Sequence, residues 1–240
     1  MNPGRDRFTT TRWSIVLSAG RSSSPKYREA LAALCETYWY PLYVFLRRQG
    51  HDAHAAEDFV QAFFARMLEK HDFRLADPER GKFRSFLLAA LKNFVANELD
   101  RASAQKRGGG QRVLSLDVDR GEELYVLEPV DTTTPETLFE RAWAMTVIDR
   151  AMAQLEAAVG KTGEHSQFDL LKRFLTGDES TVSYKEASAQ LGMSEGAVKV
   201  AVHRLRRRFR EALKDEVAQT VGDEGQIDEE IRHLIGIFAQ

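Results

Sequence analysis

Between Lys199 and Arg210 the chain carries seven groups able to present positive charge: Lys199, His203, Arg204, Arg206, Arg207, Arg208 and Arg210. They are interleaved with Val198, Val202, Leu205, Phe209 and Leu213, whose three- and four-residue spacing is that of a helix with one buried face. Glu195 and Glu211 are too few to neutralise the seven. Such side chains grip phosphate oxygens and, where they reach a groove, base edges. A charged run alone is no more than a solvated face, so the residues before it matter. Tyr184, Ala187 and Leu191 form an apolar stripe, Gly192 suits a left-handed turn, and Ser194 suits the N-cap of the basic helix. This is a helix-turn-helix pattern. Ser194, Gly196 and Ala197 let backbone approach a phosphate, and Lys199, His203, Arg204 and Arg207 project from the early turns towards a major groove.

A second constellation lies at 81–110, in GKFRSFLLAALKNFVANELDRASAQKRGGG. Phe83, Phe86, Leu87, Ala90, Leu91, Phe94 and Val95 repeat at core spacing, and the remaining faces carry Arg84, Ser85, Lys92, Asn93, Asn97 and Arg101. Asparagines beside arginine and lysine on an otherwise apolar helix suit base-edge reading and phosphate contact. The helix before it, AAEDFVQAFFARMLEK, has Phe59, Phe63 and Met67 on one side and Asp58, Gln61 and Arg66 on others.

Helices must position both sets. The spacing predicts an all-α protein with helices near 11–19, 25–49, 53–70, 83–106, 136–159, 166–176, 183–191, 195–215 and 226–238. Residues 108–135 open on three glycines and close on DTTTPE, too long a gap for one compact domain. The expected organisation is therefore an N-terminal extension at 1–24, a helical domain at 25–107, a flexible acidic linker at 108–135, a helix-turn-helix domain at 136–215 and a C-terminal helical extension at 216–240. From Ser115 to Glu136, Asp117, Asp119, Glu122, Glu123, Glu128 and Asp131 face only Arg120, so this segment is expected to stay extended, as a plain spacer or in a basic channel. In the extensions, Trp13, Val16 and Leu17 predict a short helix, and Ile227, Ile231, Leu234 and Phe238 predict one that docks on the helix-turn-helix domain.

The whole-chain balance narrows the partners. Net charge is only -2, yet basic residues gather at 80–112 and 199–214 and acidic ones at 115–140 and 215–230, which points to a charged partner. One cysteine, Cys35, excludes an intramolecular disulfide and a four-ligand zinc set. With no signal-peptide pattern and no apolar run of about 18 residues, a cytoplasmic protein without a membrane partner is expected.

Two quoted stretches, AEDFVQAFFARMLEK with RGKFRSFLLAALKNFVANELDR, and SYKEASAQLGMSEGAVKVAVHRLRRRFRE, resemble regions two and four of bacterial RNA polymerase sigma factors of the extracytoplasmic-function (ECF) group. The resemblance covers about 36–215. It implies a promoter-specificity subunit, not an enzyme and without cofactor or metal. Its partners would be promoter DNA and core RNA polymerase, through the beta-prime clamp and the beta flap, with an anti-sigma protein or other regulator as a further candidate. By position, Asp58 and Gln61 match residues that meet the clamp helices. Asn93 matches a position that touches the separated strand, and the loop Arg74–Lys82 takes the place where a flipped base is received; Arg84, Lys92, Asn97 and Arg101, on the polar faces of the same helix, are expected to join Asn93 at the downstream element. Region four would read the upstream element, so Ser194, Lys199, His203, Arg204 and Arg207, at the early exposed turns of the basic helix, are expected to contact it.

Two other readings compete. A conventional helix-turn-helix regulator with a helical N-terminal domain would bind duplex DNA as a dimer without polymerase. A metal-dependent phosphohydrolase would have to use His51, Asp52, His54, Asp58, His71 and Asp72, but these sit in short polar connectors at helix starts, where Asp52 and Asp58 serve as helix-start charges. GGGQR at 108–112 follows no strand and opens no helix, so it makes no phosphate loop. Trp39, Trp143 and Cys35 are expected to fill cores.

Overall fold

The computed structural model describes residues 25–70, 72, 82–104, 118–126, 134–160, 165–175, 183–221 and 224–239, and all regular structure among them is helical. The elements are α1 (Pro25–Arg48), α2 (Ala53–Lys70), α3 (Phe83–Ala104), α4 (Val118–Val126), α5 (Pro135–Gly160), α6 (His165–Leu171), α7 (Tyr184–Leu191), α8 (Glu195–Ala218) and α9 (Ile227–Ile237). Short 3-10 turns follow α6 and precede α9. The N-terminal helix expected near 11–19 and the loop from Arg74 to Gly81 lie outside the described residues.

The chain forms two compact units, Met1–Thr146 with Val217–Gln240, and Val147–Glu216. In the first, α1 is the central helix. Tyr38 and every residue from Leu42 to Leu46 are fully buried, so this stretch is apolar around its whole circumference and must be surrounded by other helices. Gly50, at φ 96°, reverses the chain after α1, and the Asp52 carboxylate accepts from the Ala55 N–H at 2.8 Å to start α2. Phe63 meets Phe94 across α2 and α3 at 5.8 Å between centroids, and Tyr38 meets Phe83 edge-on at 5.4 Å.

Three expectations differ from what this unit shows. The segment 108–135 is not wholly extended: α4 lies within it and packs on α1 and α2. Gly121 sits against the Trp39 ring, and Glu122 accepts from Tyr43 and Arg47, so its acidity is neutralised locally rather than kept apart. The expected boundary at 136 also moves. Leu138, Phe139, Ala142 and Trp143 of α5 are buried in the first unit, and that unit also takes in the C-terminal helix α9. The C-terminal helix, expected to dock on the helix-turn-helix domain, is instead held in the first unit, where Glu230 and His233 pair with Lys82, Arg84 and Glu140. Charge complementarity chose the partner surface, while Ile227 and Leu234 supply the buried apolar stripe.

In the second unit Leu155, Val159, Phe168, Leu171, Phe174, Ala187, Val198, Val202 and Leu205 form one core. The stacked rings of Phe174 and Tyr184, 4.8 Å apart, seat α7. Glu216, almost fully buried, accepts from Arg150 at 3.1 Å and from Gln154, tying α8 to α5 within this unit.

Candidate nucleic-acid interface

The helix-turn-helix is built by local signals that the sequence states openly. Ser183 caps α7 by accepting the Glu186 N–H, while the Glu186 carboxylate returns to the Ser183 N–H at 2.8 Å, a reciprocal capping box. Gly192, at φ 64°, makes the left-handed turn, where a side chain would cost about 1–2 kcal/mol. Ser194 then caps α8, its hydroxyl accepting from the Ala197 N–H at 3.2 Å. Val198, Val202, Leu205 and Leu213 are buried, as the spacing requires, and Phe209 is half-buried.

Burial of that face leaves the cations where water can reach them. Lys199, His203, Arg204 and Arg207 are all exposed, and Ser194 is exposed at the head of the helix. Lys199 rests over the Tyr184 ring at 5.6 Å, which holds the ammonium beside the turn. Arg206 instead donates to the Phe174 carbonyl at 3.0 Å and pins α8 to the unit. Arg207 is 70% exposed and only 3.8 Å from Glu211, a surface pair that is weak in water. Arg204, Arg207 and Arg208 also border a cavity of about 610 Å³ floored by Phe168, Leu171 and Met193. That cavity was not foreseen, since it needs α6 and α8 in juxtaposition.

The other expected residues are brought together only in part. Asn93 and Asn97 stand exposed on α3 and border a cavity of about 300 Å³ with Phe63, Arg66, Phe86 and Phe94. Arg66 lies over the Phe94 ring at 5.7 Å. Arg66 and Phe86 were not singled out for this role, because their meeting depends on how α2 packs on α3. Lys92 is exposed and ion-paired to Glu136 at 2.6 Å, and that hydrogen bond is the main reason the Glu136 carboxyl lies below its ordinary value. Arg101 is exposed and pairs with Glu98 at 2.7 Å.

Arg84 departs from expectation. It is 4% exposed, stacks on Trp143 at 4.3 Å, and is paired with Glu140 and Glu230, so in this structure it presents nothing to an outside ligand. The sequence put it on a polar face, but that face is covered by α5 and α9. Gln61 departs as well: it is 5% exposed and donates to Glu57 at 2.8 Å, whereas Asp58 stands in water beside His54. Cys35 is buried, and burial pushes its thiol up to about 12, so it is no nucleophile.

Among the described residues no helix is long and apolar enough to cross a membrane, and no group of three or more His, Cys, Asp or Glu side chains is arranged to hold a metal ion. No curated protein and no solved structure matches the chain. A family model described as ECF sigma factor matches residues 44–215, from the central helix of the first unit through the whole basic part of α8. That match spans more than half of the chain and both polar constellations, and the chain accordingly belongs to the ECF sigma factor family, whose members serve in transcription initiation.

Proposed function

We propose that the chain joins core RNA polymerase, reads an upstream promoter element with α8 and holds the separated strand of a downstream element on α3. The observation that carries this reading is the division of labour between the two polar sets. One is a cationic, capped helix whose buried face is complete without its cations. The other is an asparagine-edged cavity walled by phenylalanines and Arg66. Duplex reading needs the first kind of surface, with Ser194 at the phosphate and Lys199, His203, Arg204 and Arg207 at the groove. Holding an extruded base needs the second, since stacking on an aromatic face is worth about 1–3 kcal/mol per base and offsets the loss of pairing. Lys92 and Arg101 stand in surface pairs, which contribute about 0–1 kcal/mol and yield readily to a phosphate, and Lys92 also lies 5.3 Å from the centre of the Phe45 ring. Asp58 is the exposed residue for the clamp helices, and Gln61 supports that edge by holding Glu57.

Reconstitution with core polymerase tests the reading. Initiation at defined start sites only when the chain is present supports it. Specific protection of paired half-sites on duplex DNA without polymerase would replace it with the conventional regulator. Alanine at a base-reading member of α8 should cost about 1–3 kcal/mol in promoter affinity, while alanine at a phosphate-binding member should flatten the salt dependence.

A further inference from the structure

We propose that Lys82 and Arg84 form a phosphodiester site which the Glu230 carboxylate of α9 occupies in the free chain, so that α9 must leave before a DNA strand can bind there. The proposal rests on the reading that the polar side of α3 meets DNA. Glu230 is 1% exposed; Lys82 Nζ lies 2.6 Å from its Oε2, and Arg84 contacts its Oε1. Arg84 reaches Glu140 Oε2 at 2.7 Å with its Nε, and His233 of α9 shares that same oxygen at 3.0 Å. Among the described residues, the charged groups around the pair are Glu140 from α5 and Glu229, Glu230 and His233 from α9. Burial and the neighbouring Arg84 lower the Lys82 pKa, against the opposing charges of Glu229 and Glu140.

Three features make this contact a stand-in for a ligand rather than a fixed clamp. First, Lys82 stands at the head of the helix whose later turns present Lys92, Asn93 and Asn97, so a strand that follows α3 towards its start comes to Lys82. Second, when α9 leaves, Arg84 keeps Glu140, while Lys82 loses the carboxylate that pairs with it and is left to attract an anion. Third, α9 is built to leave. It has eleven residues, too few to be a stable helix alone, its N-cap Gln226 makes no side-chain capping bond, and Ile235 and Phe238 remain exposed on its outer side.

The test uses the full chain and a fluorescently labelled oligothymidylate, followed by anisotropy across a salt series. Glu230→Gln should bind several-fold more tightly than the parent at low salt, with a log–log salt slope steeper by about one to two, the increment expected when one or two further phosphates are neutralised. Adding Lys82→Gln to that variant should remove the gain. Leu234→Ala, which loosens α9 without changing charge, should shift affinity in the same direction and guards against a folding defect peculiar to Glu230→Gln. Unchanged or weaker oligonucleotide binding in both single variants overturns the proposal and leaves Glu230 as a structural clamp. Initiation with core polymerase is scored separately on the parent and on Glu230→Gln. A parent that initiates beside variants that gain nothing defeats the α9 proposal alone. A gain in the variants supports the α9 proposal, and if Glu230→Gln gains binding but still directs no initiation with core polymerase, the sigma reading alone is defeated.

Discussion

Replacing Glu122 by alanine should release α4 from the first unit. Glu122 is held by three hydrogen bonds: from the Tyr43 hydroxyl at 2.5 Å, from Arg47 Nε at 3.0 Å and from the Arg47 terminal nitrogen at 2.7 Å. Arg47 is itself aimed by the His51 carbonyl at 2.9 Å and lies 4.9 Å from the Tyr125 ring. Bonds to a charged group are worth about 1.5–3 kcal/mol each when buried, but this carboxylate is about a third exposed, so the set contributes about 2 kcal/mol in all. α4 has nine residues and is not stable without its docking, so the loss falls on local opening rather than on global unfolding. At about 1.4 kcal/mol per tenfold, amides of 118–126 should exchange about 30-fold faster in the variant by hydrogen–deuterium exchange mass spectrometry. Unchanged protection would show that the Gly121–Trp39 contact holds α4 by itself and would refute this account. The clasp also has a pH signature. Burial acts to raise the Glu122 carboxyl, but the bonds from Tyr43 and Arg47 outweigh it and hold the group below its ordinary value of 4.5. Its contribution is therefore fully present above that value and is lost as pH falls through the depressed value of the folded chain. An acid-induced change in Trp39 fluorescence should appear in the parent and be absent from Glu122→Gln.

Trp143→Ala should destabilise the first unit by about 3–5 kcal/mol in urea unfolding, because it empties a fully buried site and strips the stacking partner from Arg84; a loss below about 1 kcal/mol would contradict the placement of this helix segment. Gly192→Ala should cost about 1–2 kcal/mol through backbone strain alone, since an added Cβ meets no atom within 4 Å; a crystal structure of the variant should show the same turn. Ser183→Ala should cost about 1 kcal/mol by removing one half of the capping box, read as a lower denaturation midpoint with an unchanged slope.

The helix-turn-helix was legible because its signals are local. Ser183 with Glu186, Gly192, Ser194 and the spacing of Val198, Val202 and Leu205 each act within one or two turns, and together they oblige Lys199, His203, Arg204 and Arg207 to face water. Helical periodicity likewise announced α1, α2, α3 and α5. What the chain could not announce is which polar face another element covers. Arg84 and Asn93 are both polar residues on opposite faces of one helix, and nothing local says which face is covered: Arg84 is buried under α5 and α9 while Asn93 borders an open cavity. The acidic linker looked too charged to pack, but Tyr43 and Arg47, over seventy residues earlier, supply the partners that let Glu122 dock. The C-terminal helix showed its apolar stripe in sequence, and only the positions of Lys82 and Arg84 decided where it lies. Local hydrogen bonding and side-chain period act over a few residues, so sequence alone determines them; the pairing of distant charges is a property of the assembled fold.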